Sequence, residues 1–125
     1  MILIYLIERK GEWIEAIKKH FQEADEVILS SLSFGEILTG FEKNKDLKGK
    51  LKFLSFIESF KKIHIANFCK QEALYFAQIR AKYPQIKAPD AIHLATALSA
   101  RADAFLTNDK HLKIFEELPV LLLTD

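Results

Sequence analysis

Hydrophobic residues follow two patterns that alternate along the chain. Short runs of apolar and β-branched residues predict buried strands, whereas apolar residues spaced three and four positions apart predict helices with one buried face. The predicted strands cover Glu26–Ser30, Ile63–Ala66, 104–106 and 119–123, and the opening run 1–8 is too short to assign. The predicted helices cover 12–23, 33–41, 46–60, 74–83, 89–101 and 110–117, of which the last is one short turn.

Two helix starts carry local signals. Ser33 followed by Glu36 has the spacing of a capping box, in which each side chain accepts a hydrogen bond from the other residue's backbone. Pro89 fits the first position of a helix, where its missing N–H has no role. Strands that alternate with helices predict an α/β fold with a mostly parallel sheet, helices on both faces and right-handed crossovers. Because the 125 residues contain no linker and no repeat, we expect a single domain, 1–125.

Composition and charge narrow the class of protein. With 4 Gly, 3 Pro and 50% hydrophobic residues, the chain is neither collagen-like nor intrinsically disordered. Its 18 basic and 17 acidic side chains nearly cancel, so a nucleic-acid site would have to be local. The lone Cys69 excludes an internal disulfide and a cysteine-based zinc site. No apolar run approaches the roughly 20 residues of a membrane span, and we expect a cytoplasmic protein without a membrane partner.

Three acidic residues are predicted near the carboxyl ends of the strands, where open α/β sheets bind ligands. Glu36 follows the strand Glu26–Ser30, Asp109 follows the third predicted strand, and Asp90 lies in the first turn of a helix. Carboxylates that lie close together repel one another, and a hard divalent cation such as Mg²⁺ or Mn²⁺ removes that cost. Each acid alone also has a simpler explanation, because acidic residues are common in first helical turns and in loops. Their coincidence at one edge is what favours a metal site.

Three segments place these acids in characteristic contexts. They are Ser33-Phe34-Gly35-Glu36-Ile37, Ala88-Pro89-Asp90-Ala91-Ile92-His93-Leu94-Ala95-Thr96-Ala97 and Leu106-Thr107-Asn108-Asp109. In their order and rough spacing they resemble three successive motifs of PIN-domain nucleases, specifically the VapC-type toxins of toxin–antitoxin systems. The resemblance covers essentially the whole chain. It implies a PIN-like three-layer α/β/α fold with a mostly parallel central sheet.

The resemblance also implies a function. Glu36, Asp90 and Asp109 match the acidic positions that hold Mg²⁺ or Mn²⁺ in that family, as catalytic and metal-binding residues. Thr107 and Asn108 match the polar residues beside the last acid, which implies contact with the substrate. The implied activity is metal-dependent endoribonuclease cleavage of RNA. The implied partners are a cognate antitoxin protein and a second copy of the chain.

Two other functions remain open. One is a catalytically impaired or inactive PIN-like module that binds a partner protein, which the surplus of apolar residues on several helices favours. The other is an unrelated flavodoxin-like binding domain, which the absence of a glycine-rich phosphate loop disfavours. Metal-dependent cleavage separates the nuclease from both.

The amino terminus departs from the family pattern, in which a first strand ends in Asp. When the chain is aligned on Leu3-Ile4-Tyr5, that strand and its acid lie before Met1. The start codon has been placed too late, or residues 1–6 substitute for the strand, or the chain is a shortened variant with weak or no catalysis. We expect the first. A sheet without this strand would leave its neighbours with unpaired backbone groups.

Two further features have both a functional and a structural interpretation. His93 lies three residues after Asp90 on one helix face, which suits a metal ligand or an acid–base group, but a packed helix histidine is the preferred interpretation. Seven lysines against two acids between positions 43 and 62 suit an RNA backbone, although such a stretch is usually a solvated helix face.

Overall fold

The computed structural model describes the backbone of residues 2–5 and the whole of residues 22–122. The strands are β1 (Ile2–Tyr5), β2 (Glu26–Ser30), β3 (Ile63–Ala66), β4 (Ala104–Thr107) and β5 (Val120–Leu122). The helices are α1 (Ser31–Lys43), α2 (Leu47–Ser59), α3 (Lys70–Lys82) and α4 (Ala88–Ser99), followed by a 3-10 helix at Lys110–Ile114. Within these ranges, no helix combines the length and the apolar character needed to cross a membrane.

The strands form one parallel sheet in the order β3-β2-β1-β4-β5. Parallel neighbours need a crossover connection, and here α1 and α2 connect β2 to β3, whereas α3 and α4 connect β3 to β4. From β1 the chain proceeds to β2 and β3 on one side of the sheet and then to β4 and β5 on the other. The carboxyl ends of β2 and β4 therefore lie on either side of β1. The predicted α/β class with a parallel sheet is confirmed.

Each face of the sheet packs against its own helices, because alternate strand residues point to opposite faces. Ile28 and Phe105 belong to a buried cluster that α3 and α4 complete, with Leu94 fully buried in it. Val27 belongs to a second cluster, on the side of α1 and α2, where Phe53 is the largest buried side chain. The result is the three-layer α/β/α architecture.

The centre of the sheet differs from the expectation of a missing first strand. Ile2–Tyr5 lies between β2 and β4, with Ile4 opposite Ile28 on one side and Phe105 on the other. This placement corresponds to the second of the three explanations, in which the opening residues substitute for the strand. An apolar run rich in isoleucine suits a strand, and without it β2 and β4 would each expose unpaired N–H and C=O groups. The chain has no aspartate before Asp25.

The start of α1 also differs from the prediction. Ser30 is the capping residue, since its Oγ accepts a hydrogen bond from the backbone N–H of Ser33 at 3.0 Å. The predicted capping box of Ser33 with Glu36 is therefore wrong. Ser33 lies within the first turn of α1, and Glu36 lies in the second.

Other boundaries shift by a few residues. α4 begins at Ala88, so Pro89 takes the second helical position. A backbone N–H at that position has no partner within the helix, so the missing N–H of proline removes no helical hydrogen bond there. The turn predicted at 110–117 is the 3-10 helix and ends at Ile114. Of the predicted helix 12–23, positions 12–21 lie outside the described residues, and positions 22 and 23 form a turn.

Candidate active site

The three acids lie at the carboxyl edge of the sheet. β2 leads directly into α1, which places Glu36 in the second turn of that helix. α4 runs back toward the start of β4, so Asp90, in the first turn of α4, lies at the same edge. Asp109 follows β4 and caps the 3-10 helix. Parallel strands end at a common edge, and this is why residues far apart in the sequence become neighbours.

Asp90 is coupled electrostatically to both other carboxylates. Burial raises the pKa of Asp90, the negative charge of Asp109 raises it further, and the positive charge of Lys87 opposes the rise. Burial also raises the pKa of Glu36, and the negative charge of Asp90 adds to this effect. The structure therefore places Asp90 close enough to Glu36 and to Asp109 for its carboxylate to interact electrostatically with each of them.

The chemistry of this donor set fits a hard divalent cation. Carboxylate oxygens are preferred ligands of Mg²⁺ and Mn²⁺. Burial is the larger cause of the raised pKa of Glu36 and of Asp90, and the repulsion that adds to it is what a bound cation relieves. Among the residues that the structure describes, however, no three side chains of His, Cys, Asp or Glu are grouped closely enough to enclose a metal ion. The acids are neighbours, and their oxygens do not form an assembled ligand sphere.

His93 is the buried neighbour of Glu36. It lies one turn after Asp90 on α4 and is 1% exposed. Its Nδ1 lies 2.6 Å from Oγ of Ser30 and 3.1 Å from Oγ of Ser33, whereas its Nε2 lies 3.6 Å from Oε1 of Glu36. Burial lowers the pKa of His93 to about 4, so the ring is neutral and its contact with Glu36 is not an ion pair. The histidine is packed in the core and also contacts the acidic edge.

A hydrogen-bonded turn fixes the position of Asp109. Thr107 is fully buried, and its Oγ1 accepts a hydrogen bond from the backbone N–H of Asp109 at 3.0 Å. Oδ1 of Asp109 in turn accepts a hydrogen bond from the backbone N–H of His111 at 2.9 Å. Asn108, between Thr107 and Asp109, is partly exposed. Thr107 therefore supports the loop from the interior, and Asn108 has surface that a ligand can reach.

Sequence reasoning missed two parts of this site. The contacts of His93 with Ser30 and Ser33 join residues 63 and 60 positions apart, which no local pattern reveals. Lys87 was also missed, although it is the capping residue of α4 and its charge acts on Asp90. A lysine three residues before an acid at a helix start was the available signal.

Comparison with known proteins gives a family and a fold. Residues 1–118 match the sequence model of the family described as PIN domain. Among curated proteins, no sequence matches this chain. Several solved structures share its fold, among them the following three. VapBC2 from Rickettsia felis bound to a DNA fragment from its promoter has 20% sequence identity, 98% of each chain covered and a TM-score of 0.74. A toxin–antitoxin complex from Klebsiella pneumoniae has 22% sequence identity, 97% of each chain covered and a TM-score of 0.70. DNA-bound VapBC from Salmonella typhimurium has 19% sequence identity, 98% of this chain and 99% of that chain covered, and a TM-score of 0.71.

Proposed function

Because the chain belongs to the PIN domain family, we propose that it is a metal-dependent endoribonuclease and the toxin component of a type II toxin–antitoxin system. The observation that carries the proposal is the coupling of Asp90 to both Glu36 and Asp109 at the carboxyl edge of the sheet. Neighbouring carboxylates repel and destabilise one another. A bound divalent cation removes this repulsion and uses the carboxylate oxygens as ligands. The edge is also where α/β sheets bind ligands.

Each of the three acids has a role in this proposal. Glu36, Asp90 and Asp109 would hold Mg²⁺ or Mn²⁺ through carboxylate oxygens. When bound, the ion supplies a Lewis acid for the scissile phosphate and for an attacking water. The protein itself contributes the placement of the carboxylates. Two helices hold Glu36 and Asp90, and the turn after β4 holds Asp109.

The residues around the acids suit an RNA backbone. We assign Thr107 to the support of Asp109, because its hydroxyl is buried and already bonded to that residue. Asn108 is then the substrate contact of the pair. Lys87 is exposed beside Asp90 and offers a cation to a backbone phosphate, which is the contact that dominates nucleic-acid affinity.

An antitoxin protein and a second copy of the chain are the proposed partners. Support comes from the solved structures above, two of which are VapBC complexes and one a toxin–antitoxin complex. In this chain Leu47 and Leu51 lie one turn apart on α2 and are 64% and 56% exposed, which is typical of a surface that another protein covers. Light scattering tests the dimer, which would have twice the 14.4 kDa of one chain.

A second candidate function is an inactive PIN-like module that binds a partner protein. The observation that favours it is the absence, among the described residues, of three metal-ligating side chains in one close group. In this alternative the chain keeps the fold and the exposed apolar surface and does not cleave RNA.

Cleavage of single-stranded RNA in the presence of Mn²⁺ tests the proposed activity. We expect cleavage by the wild type, and no cleavage after EDTA is added or in Asp90→Asn. Glu58→Gln neutralises an exposed carboxylate on α2 and is the matched control that retains activity. Single-stranded DNA of the same sequence is expected to stay intact. Cleavage that persists in EDTA would contradict the metal requirement, and no cleavage under any condition would favour the inactive module.

A further inference from the structure

The serine side of the His93 ring has a defined pattern of donors and acceptors. The backbone N–H of Ser33 donates to Oγ of Ser30 at 3.0 Å, and the same Oγ lies 2.6 Å from Nδ1 of His93. Ser30 has one hydroxyl proton, for which Oγ of Ser33, 3.1 Å away, is the competing acceptor. The 2.6 Å contact with Nδ1 is shorter than N–H···O hydrogen bonds are and lies within the range of an O–H donor, which makes the Ser30 hydroxyl the donor and Nδ1 the acceptor. In a neutral imidazole the ring proton is then on Nε2.

The glutamate side of the ring leads to the same assignment. Nε2 lies 3.6 Å from Oε1 of Glu36. An unprotonated Nε2 would direct its lone pair at a carboxylate oxygen, whereas Nε2–H directs a donor at it. The contact is longer than a direct hydrogen bond. The Glu36 side chain is 46% exposed, so packing leaves it room to rotate toward Nε2.

We propose that His93 is a positioning residue: Ser30 and Ser33 keep its proton on Nε2, and Nε2–H orients the Glu36 carboxylate at the acidic edge. The inference rests on the proposed function, since the orientation serves metal binding. Hydrogen-bond donors behind a ligating carboxylate raise metal affinity in this way.

The same three residue types also occur in serine hydrolases, but burial excludes that role here. Ser30 is 2% exposed and His93 is 1% exposed, so a substrate does not reach the hydroxyl. Ser30 is in addition the capping residue of α1, and its oxygen accepts the backbone N–H of Ser33. His93 therefore acts through Glu36 and not on a substrate.

The position of the ring proton is measured on the metal-free protein by ¹⁵N NMR of the histidine side chains at neutral pH. We expect Nε2 of His93 to be protonated and Nδ1 to be unprotonated. The Nε2 resonance is expected to shift in Glu36→Ala and to stay unchanged in Glu42→Ala, a matched control on the same helix. A proton on Nδ1, a doubly protonated ring, or an Nε2 resonance indifferent to Glu36→Ala overturns the proposal. None of these results depends on RNA cleavage.

Two substitutions separate positioning from packing. Gln at position 93 places an amide near the site of Nε2 and keeps a donor toward Glu36, whereas Asn reaches only the site of Nδ1. We expect His93→Asn to weaken Mn²⁺ binding about 10-fold, and His93→Gln to restore most of that loss. His64→Asn, at an exposed position on β3, is the control with unchanged binding.

Thermal denaturation of the same variants completes the test. If both substitutions at position 93 weaken Mn²⁺ binding equally, and in proportion to their loss of stability, His93 serves packing alone and the proposal is overturned. If the wild type does not bind Mn²⁺, the proposed function fails, and the position of the ring proton still decides whether His93 orients Glu36.

Discussion

The backbone N–H of Asp109 donates a hydrogen bond to the buried hydroxyl of Thr107, 3.0 Å away. This bond turns the chain at the end of β4, and Asp109 then caps the 3-10 helix through the N–H of His111. An acid at the edge of the sheet therefore depends for its position on a hydroxyl group inside the core.

Thr107→Val is expected to destabilise the protein by about 1–3 kcal/mol, because valine keeps the shape of threonine and leaves the N–H of Asp109 without its acceptor. Thr107→Ser keeps the hydroxyl and removes one methyl group, which costs about 1 kcal/mol. Urea denaturation measures both values. A valine variant that is more stable than the serine variant would contradict the supporting role of the hydroxyl.

Asp90→Asn is expected to raise the free energy of unfolding at neutral pH although it removes a proposed metal ligand. The pKa of Asp90 is raised above its ordinary value of 3.8 by burial and by Asp109, so this carboxyl group stabilises the fold only while it is protonated. That contribution is present below the pKa of the unfolded chain and is lost as the pH rises through the pKa of the folded protein. Because the side chain is partly exposed, we expect a gain of only roughly 0.5–1 kcal/mol at neutral pH.

Denaturation in EDTA at neutral pH and at about pH 3 checks this result. At the lower pH the carboxyl group is protonated in both states, and the gain from Asp90→Asn is expected to vanish. Glu58→Gln, on the exposed surface of α2, is the control without a pH-dependent gain. A loss of stability at neutral pH in Asp90→Asn would argue against repulsion among the three acids.

The basic stretch around the turn between α1 and α2 is expected to strengthen RNA binding through its charge. The end of α1 lies about 10 Å from Glu36 along the helix axis, within reach of a few nucleotides. Replacing the exposed Lys45 and Lys48 by Gln is expected to reduce the slope of log affinity against log salt by about 1.4 in EDTA. The same change at the exposed Lys70 and Lys113 is the control. Equal slopes for both double variants would assign the stretch to a solvated helix face.

Gly35 and Gly49 both lie inside helices, but their surroundings predict opposite effects of alanine. A Cβ at Gly35 meets no atom within 4 Å, so Gly35→Ala is expected to stabilise the protein by about 0.5–1 kcal/mol. A Cβ at Gly49 would overlap the carboxylate of Asp46, which caps α2 by accepting the N–H of Gly49 at 2.9 Å. Gly49→Ala is expected to cost about 1 kcal/mol, as for a lost cap. Thermal denaturation measures both, and stabilisation at both positions would contradict this account.

Local signals in the sequence were sufficient for several elements and for the position of the acids. β2 and β3 have the predicted bounds, because each is a short segment with two β-branched residues that is bounded by charged or polar residues. α4 is predicted by Pro89 and by its alanine-rich body. The approach of Asp90 to Glu36 and Asp109 follows from strand order, since parallel strands end at one edge.

Contacts between distant segments were beyond those signals. Ser30 and Ser33 both suit a helix cap, and no local signal shows that the helix begins directly after β2, at Ser31. The contacts of His93 with these serines form only when α4 packs beside α1. The placement of Ile2–Tyr5 between β2 and β4 depends on backbone pairing between distant segments. Neither hydrophobicity nor the family motifs predict the register of that pairing.

Calorimetric titration of the metal-free protein with Mn²⁺ tests most directly whether the three acids form one metal site. We expect saturable binding by the wild type that weakens at least about 10-fold in each of Glu36→Gln, Asp90→Asn and Asp109→Asn, with Glu58→Gln unchanged. Binding that survives all three substitutions, or a wild type that binds no Mn²⁺, would contradict a single metal site formed by the three acids.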